Sequence, residues 1–266
     1  MPQTDAELAV QIAQETGQTL LELRRLFGEV TDHNRRELKD AGDRAAQEVL
    51  AARLQEHRPD DAVLSEEAVD TAERLTADRV WIIDPLDGTS EYGQGRADWA
   101  VHVALWQREA GPIGGLTDAA VAVPELGELW RTDQPVPPPV LATDRPLRLV
   151  VSRSRPPAEL PELLTAVSAE LVERGINPYG MEEANVGSVG AKLGEVMAGR
   201  AEAYLHPGGL NEWDLAAPQA CALAHDLVTL GPEQPFNQMP PKAGPVLIVH
   251  PAVADVFAAH WSVTRG

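Results

Sequence analysis

Residues 81–90 read WIIDPLDGTS, and this stretch decides the architecture that we predict for the chain. An apolar, β-branched run of the kind found in buried strands leads directly into two aspartates, Asp84 and Asp87. Gly88 then permits a tight turn. Carboxylates three residues apart across such a turn can face one point, where the Leu86 carbonyl can join them in the oxygen shell that Mg²⁺ prefers.

An ordinary turn is the competing interpretation of DPLDGT, because turns use Asp-Gly for its backbone conformation alone. Two further acidic positions favour a metal site: Glu66 follows an apolar stretch in AVLSEEA, and Asp214 opens an apolar helix in NEWDLAAP. Glu66 with Glu67 can equally be a solvated pair, and Asp214 can be a helix N-cap. From the residues alone, both interpretations stay open.

The first half of the chain is predicted to be α+β. Apolar residues at spacings of three to four predict one amphipathic helix over residues 5–27 and a second over Ala41 to Leu54. The segment WAVHVALW, residues 99–106, alternates like a half-buried strand, with DAAVAVP and GELWRT as its expected partners in a sheet. Together with WIIDP, these segments predict a sheet covered by helices.

A proline-rich segment, residues 135–146, is predicted to connect two halves, 1–134 and 147–266, because its prolines suit neither a helix nor a central strand. After it, we expect a strand in LRLVVSR and a helix from Glu159 to Arg174. GAKLGEVMAG predicts a further helix, EAYLH a strand, and the residues after Trp213 a last helix. The second half is therefore expected to be α/β.

Composition excludes two classes of protein. A net charge of −19 over 266 residues repels nucleic-acid phosphates, so we expect no nucleic-acid polymer as a partner. The sequence contains neither an apolar run of ~18 residues nor a secretory signal, so we expect a cytoplasmic protein without a membrane partner. The single cysteine, Cys221, agrees with a reducing compartment and is expected in the core.

WIIDPLDGT and WDLAAP, with SEEA upstream, resemble the signatures of the inositol monophosphatase superfamily, whose members are metal-dependent, lithium-inhibited phosphatases. Within it, AGDRAA, the motif DRVWIIDPLDGT followed by DWAVHVALW, and VSRSRPP are most similar to actinobacterial CysQ-type 3′(2′),5′-bisphosphate nucleotidases. The resemblance implies an α/β fold, the layered αβαβα sandwich of inositol monophosphatases and fructose-1,6-bisphosphatases. It also implies hydrolysis of 3′-phosphoadenosine 5′-phosphate (PAP) to AMP and phosphate in sulfate assimilation. PAPS, which carries a 5′-phosphosulfate instead, is a further candidate substrate.

The resemblance implies two Mg²⁺ ions as cofactors, or three with a looser ion near Glu66. It assigns one ion to Glu66, Asp84 and the Leu86 carbonyl, and a second ion to Asp84, Asp87 and Asp214. A metal-bound water would attack phosphorus while the second cation stabilises the leaving oxygen. The implied partner is thus a small phosphorylated substrate; the oligomeric state stays open, with a homodimer as one option.

The resemblance also assigns roles to residues that bind no metal. Thr89 and Glu66 orient the attacking water, and Asp43 of AGDRAA supports Thr89 through a hydrogen bond. Backbone N–H groups of Gly88, Thr89 and Ser90 can hold phosphate oxygens at a helix start.

VSRSR and GSVGAK resemble the segments that line the nucleotide pocket of bisphosphate nucleotidases. Arg155 and Lys192 have the chemistry for a second, non-reacting phosphate, with surface charge as the alternative. The residues expected to contact the substrate are Asp87, Gly88, Thr89, Ser90, Ser152, Arg155, Ser188, Lys192 and Asp214.

Other functions remain open at this point. Arg155 stands where related nucleotidases often carry histidine, so inositol phosphate and fructose bisphosphate are alternative substrates, and a non-catalytic nucleotide sensor is a third possibility. A phosphatase that forms a phospho-aspartate is disfavoured, because Asp84 and Asp87 have two residues between them instead of one. His102 and His206 are interpreted as core residues, because Mg²⁺ takes oxygen ligands.

Overall fold

A computed structural model describes residues 3–110, 115–231 and 235–261 of the chain. In chain order its α-helices are α1 (Asp5–Phe27), α2 (Arg35–His57), α3 (Thr89–Gly93), α4 (Leu160–Glu173), α5 (Val189–Met197), α6 (Glu212–Ala224) and α7 (Ala254–His260). Its strands are β1 (Ala62–Ser65), β2 (Arg79–Asp87), β3 (Ala100–Gln107), β4 (Gly115–Val123), β5 (Glu128–Arg131), β6 (Leu147–Ser152), β7 (Met181–Val186), β8 (Ala203–His206), β9 (Leu210–Asn211), β10 (Val228–Leu230), β11 (Lys242–Ala243) and β12 (Val246–Val249).

The described strands form two five-stranded sheets and a short β9–β11 ribbon. The first sheet has the order β1-β2-β3-β4-β5, in which β1 and β2 are parallel and the remaining pairs are antiparallel. The second has the order β10-β12-β8-β6-β7, in which β6 runs parallel to both β7 and β8, and β12 is antiparallel to its neighbours. Strands of the second half thus form a sheet of their own.

The two faces of each sheet bury different apolar clusters, because side chains alternate along a strand. In β2, Trp81 and Ile83 pack toward α1 and α2, whereas Val80 and Ile82 belong to the cluster that contains α5 and α6. The opposite side of that cluster is the inner face of the second sheet, and α4 and α7 cover its outer face. The layers are α, β, α, β, α, which confirms the predicted sandwich.

The sequence places most of these elements correctly. Helix α1 has the predicted bounds. The segments predicted to join WAVHVALW in a sheet are β4, which pairs with it directly, and β5, which pairs with β4. Helix α2 begins six residues earlier than the predicted Ala41, because residues 35–40 are polar except for the buried Leu38 and carry little apolar signal. The edge strand β7 was not predicted, since MEEANV is polar and mostly exposed.

Two expectations about composition can be compared with the structure. Within the described ranges, no helix is both long and apolar enough to cross a membrane. Cys221 is buried in the middle helical layer, and burial raises the pKa of its thiol. The core position predicted for this cysteine is confirmed.

Candidate metal and phosphate site

Strand β2 carries two aspartates, Asp84 and Asp87, at its C-terminal end. Its register with β3 shifts between Asp84 and Asp87, so both side chains leave the regular alternation of the strand. Gly88 follows with φ 88° and caps the short helix α3. A Cβ at this glycine would lie 2.8 Å from the Ser188 Cβ, so both the backbone angle and the space require glycine.

Three carboxylates from two distant parts of the chain meet at the C-terminal end of β2. One oxygen each of Asp84, Asp87 and Asp214 lies within 4.8 Å of the others. Asp214 comes from the first turn of α6, where its Oδ2 accepts the backbone N–H of Asn211 at 2.6 Å. Asn211 is the N-cap and Asp214 the third helical residue of a capping box, so Asp214 is not the N-cap itself.

Asp84 offers the clearest sign that this group fits a cation. Its side chain is 1% exposed, and its Oδ1 accepts the Leu86 N–H at 3.1 Å. Its Oδ2 is buried without a hydrogen-bond partner in the described part of the chain. A buried carboxylate oxygen without a donor is strongly unfavourable, and an oxygen-binding divalent cation would satisfy it.

The carboxylates destabilise one another's charged forms. Burial and the charges of Asp87 and Glu66 hold the pKa of Asp84 well above its usual range. Burial and Asp87 raise the pKa of Asp214 to about 6, and partial burial, Asp214 and Glu67 raise the pKa of Glu66 to about 7. A bound divalent cation would offset this repulsion.

A cavity of about 310 Å³ opens over the acidic group and brings together most of the predicted site residues. The predicted residues that line it are Glu66, Asp84, Leu86, Asp87, Gly88, Thr89, Ser152, Arg155, Ser188, Lys192 and Asp214. Glu66 lines the cavity but is outside the trio of closest carboxylates. Asp43 and Ser90 are not among the lining residues, and the Ser90 hydroxyl, which is exposed, accepts a hydrogen bond from Gln94 at 2.9 Å.

Thr89 connects the cavity to Asp43 behind it. The Thr89 hydroxyl lies 3.3 Å from Asp43 Oδ1 and 3.1 Å from the Leu86 carbonyl, and its single hydrogen can be donated to only one of them at a time. Burial and the charge of Glu67 raise the pKa of Asp43 to about 6. The two residues that the resemblance joins by a hydrogen bond are thus within hydrogen-bonding distance of each other.

Two basic residues, Lys192 and Arg155, also form part of the cavity wall. Lys192 is buried; its Nζ donates to the Gly187 carbonyl at 2.6 Å and lies 5.4 Å from the centre of the Tyr204 ring. Burial lowers the pKa of Lys192 to about 8, against the opposite effect of Asp87 and other acids. Arg155 is exposed at the rim. Acidic and basic side chains therefore share one cavity.

The two predicted serines in this wall have local roles as well. Ser188 caps α5, and its Oγ accepts the Ala191 N–H at 3.0 Å. Ser152 Oγ accepts the Arg155 N–H at 3.3 Å. Each hydroxyl retains one hydrogen that it can donate to a ligand.

Comparison with known proteins connects this geometry to a family. The inositol monophosphatase family profile matches residues 1–225, well over half of the chain. The chain belongs to the inositol monophosphatase family. The resemblance inferred from WIIDPLDGT and WDLAAP is thus confirmed.

Curated members of this family include similar proteins with named activities. A 3′-phosphoadenosine 5′-phosphate phosphatase of Mycobacterium leprae (strain TN) is 44% identical over 248 residues, which cover 90% of this chain and 86% of that protein. The 3′(2′),5′-bisphosphate nucleotidase CysQ of Escherichia coli (strain K12) is 33% identical over 192 residues, which cover 69% and 72%.

Solved structures of the family share the fold. CysQ from Bacteroides thetaiotaomicron superposes with a TM-score of 0.74 at 25% identity, covering 92% of this chain and 97% of that one. An inositol monophosphatase from Anabaena gives a TM-score of 0.66 at 19% identity, covering 96% and 94%. The layered architecture of this chain is therefore that of the inositol monophosphatase family.

Sequence reasoning about this family member missed several cavity residues. Ser154, Asn211 and His206 also line the cavity. His206 ends β8 on the same face as Tyr204, and this alternation, followed by the turn PGG, is the signal that could have placed it there. Burial, together with the nearby charges of Lys192 and Arg155, lowers the pKa of His206 to about 4, so the imidazole is neutral at physiological pH.

Proposed function

We propose that this chain is a Mg²⁺-dependent phosphomonoesterase that removes the 3′-phosphate of PAP to give AMP and phosphate. The observation that carries the proposal is the shared cavity, which is lined by the acidic trio and by Lys192 and Arg155. In the described part of the chain, one buried oxygen of the trio, Asp84 Oδ2, has no hydrogen-bond partner. A phosphate ester needs both parts, since a cation must sit beside its anionic oxygens and a basic group can bind a second phosphate. The 44% identity to mycobacterial enzymes named for this activity supports the substrate.

The residues of the trio fit Mg²⁺ because they supply only oxygen ligands. We propose that Glu66, Asp84 and the Leu86 carbonyl hold one ion, and that Asp84, Asp87 and Asp214 hold a second. When bound, such ions supply an activated water and stabilise the negative charge of the leaving oxygen. Two ions satisfy this scheme, and a third would bind near Glu66.

The chain's own residues orient the reactants. If the Thr89 hydroxyl donates its hydrogen to Asp43, its lone pairs face the cavity and accept a hydrogen of the attacking water. Glu66, at the same cavity, accepts the other hydrogen. Backbone N–H groups of Gly88, Thr89 and Ser90 belong to the first turn of α3, where they have no partners within the helix and can bind phosphate oxygens.

The basic wall sets the preference for a bisphosphate. Lys192 is fixed by Gly187 and Tyr204, so it presents its charge at one position in the cavity. Arg155 is free to close over a phosphate from the rim, where its guanidinium offers two parallel donors. A sugar with a single phosphate would leave one of these two basic side chains without a phosphate partner.

The deciding experiment is phosphate release by the purified protein from PAP, inositol 1-phosphate and fructose 1,6-bisphosphate. Each reaction is run with Mg²⁺, with EDTA and with added Li⁺, and Asp84→Asn is the matched variant. We expect Mg²⁺-dependent release from PAP that Li⁺ inhibits and that Asp84→Asn abolishes. Preference for inositol or fructose phosphate would reassign the substrate, and PAP binding without release from any ester would favour the nucleotide sensor.

PAPS is tested in the same assay as a second nucleotide substrate. A phospho-aspartate intermediate is tested separately, by rapid acid quenching of the enzyme with PAP labelled in its 3′-phosphate. We expect no label on the protein, because the proposed attack comes from water. Acid-stable label on Asp84 or Asp87 would overturn the hydrolytic mechanism.

A further inference from the structure

His102 is a buried residue of β3 that lies between two of the acidic elements. Its Nε2 is 3.1 Å from Asp87 Oδ2, and its Nδ1 is 3.2 Å from the Trp213 carbonyl oxygen. Trp213 immediately precedes Asp214 in the first turn of α6. The imidazole, 0% exposed, thus bridges the end of β2 and the start of α6.

Helix α5 also contacts Asp87 Oδ2. This oxygen accepts the backbone N–H of Gly190 in α5 at 2.7 Å. A Cβ at Gly190 would lie 2.4 Å from His102 Nε2 and 2.5 Å from the Ala100 Cβ, so only glycine lets α5 approach this closely. Asp87 Oδ1 has no such partner within the described ranges and is the oxygen left for a ligand.

Both atoms that face the His102 ring are hydrogen-bond acceptors. A neutral imidazole has one N–H, so the ring donates either from Nε2 toward Asp87 Oδ2 or from Nδ1 to the Trp213 carbonyl oxygen, and only the protonated ring donates to both. The His102 ring and the Gly190 N–H both contact Asp87 Oδ2.

We propose that His102 is a positioning residue that contacts Asp87 Oδ2 so that Oδ1 points to the cation, while its contact with the Trp213 carbonyl oxygen orients the ring. This inference rests on the proposed metal-dependent function. Residues that orient a metal ligand contribute about 10- to 100-fold to metal affinity or activity. His102 acts through Asp87 and does not touch the substrate.

Two amide variants separate the contacts of His102. In His102→Asn the amide reaches the position of Nδ1 and retains the Trp213 link, whereas in His102→Gln it reaches the position of Nε2 and retains the Asp87 link. The matched control is His225→Asn. His225 is also buried and contacts a carbonyl of α6, that of Cys221 at 2.8 Å, but its ring packs edge-on against Trp130 outside the cavity.

The experiment measures Mg²⁺ binding to EDTA-treated, dialysed protein by isothermal titration calorimetry, without substrate. We expect His102→Asn to weaken Mg²⁺ binding about tenfold or more and His102→Gln to remain within about threefold of wild type. His225→Asn should bind as wild type does. The Mg²⁺ concentration for half-maximal phosphate release should shift in the same order, while KM for PAP at saturating Mg²⁺ stays unchanged.

Wild-type affinity in His102→Asn, or equal losses in both amide variants, would overturn the inference while leaving the proposed function intact. Wild-type protein that binds no Mg²⁺ would overturn the proposed function and this inference with it. If circular dichroism shows that His102→Asn is unfolded, His102→Gln decides: a tenfold or greater loss there would contradict the importance of the Asp87 contact.

Discussion

The Thr89 hydroxyl lies 3.3 Å from the Asp43 carboxylate, which joins helix α3 at the cavity to helix α2 behind it. Asp43 is outside the cavity lining and contacts a residue of that lining, Thr89. This arrangement makes the two residues act as one unit and leads to the first prediction.

Thr89→Val keeps the shape of the side chain but removes the hydroxyl that orients the attacking water. We expect kcat for PAP to fall about 100-fold or more, as for loss of a proton-handling group, with little change in KM. Thr89→Ser should retain most of the activity. Thr19→Val, which removes a hydroxyl bonded only to the Glu15 carbonyl within α1, should leave kcat unchanged.

Asp43→Asn tests the other member of the pair. The amide can donate to Thr89 instead of accepting from it, so the Thr89 hydrogen would turn toward the Leu86 carbonyl or the water. We expect kcat to fall with KM unchanged, and the double variant with Thr89→Val to be no slower than Thr89→Val alone. Additive losses in steady-state kinetics would show that the residues act independently.

Stability of the metal-free protein should decrease as pH rises. The pKa values of Asp214 and Glu66, about 6 and about 7 in the folded chain, lie above those of the unfolded chain, so the folded state binds more protons between about pH 4 and 7. The stability from these groups is present below the unfolded pKa and is lost as pH rises through the folded pKa. Urea unfolding in EDTA at about pH 5 and about pH 8 measures this difference.

Two comparisons assign that pH dependence to the site. Asp214→Asn should flatten the profile, because one of the repelling carboxylates is gone. Mg²⁺ should stabilise wild type more at the higher pH, where more of its ligands are ionised. A profile identical in Asp214→Asn and wild type would show that the pH dependence originates elsewhere.

Arg155→Met should affect the substrate's second phosphate selectively. A hydrogen bond to a charged group contributes about 1.5–3 kcal/mol, so we expect KM for PAP to rise about 10- to 100-fold. KM for 3′-AMP, which lacks the 5′-phosphate, should change little. Arg148→Met removes a partly exposed arginine of β6 that pairs with Glu182, and it should alter neither KM value.

The carboxylates that meet in the cavity could be predicted from the sequence because they lie in short motifs. The expectation for Asp84 and Asp87 depended on a strand followed by a turn, which local residue types determine. Asp214 was predicted to join them from a family signature, and in the structure its carboxylate lies beside theirs. Asp84 Oδ2, whose lack of a hydrogen-bond donor among the described residues supports a cation site, could not be recognised from the sequence, because that lack depends on how the surrounding residues pack.

His102 shows where such reasoning reaches its limit. Nothing in WAVHVALW distinguishes a histidine that packs in a core from one that contacts a carboxylate of the cavity. Its role depends on how β3 approaches α6 and α5, segments about 90 to 110 positions away in the sequence. The same holds for β7, whose polar sequence becomes a strand only because β6 offers it an edge.

The middle helical layer has a consequence for the biosynthesis of this chain. Helices α5 and α6 cover the inner face of the first sheet, yet they follow its last strand by more than 50 residues. A ribosome therefore releases the first sheet with apolar residues such as Val80 and Ile82 still uncovered on that face. Until α6 emerges, this nascent surface is a target for chaperones and for aggregation.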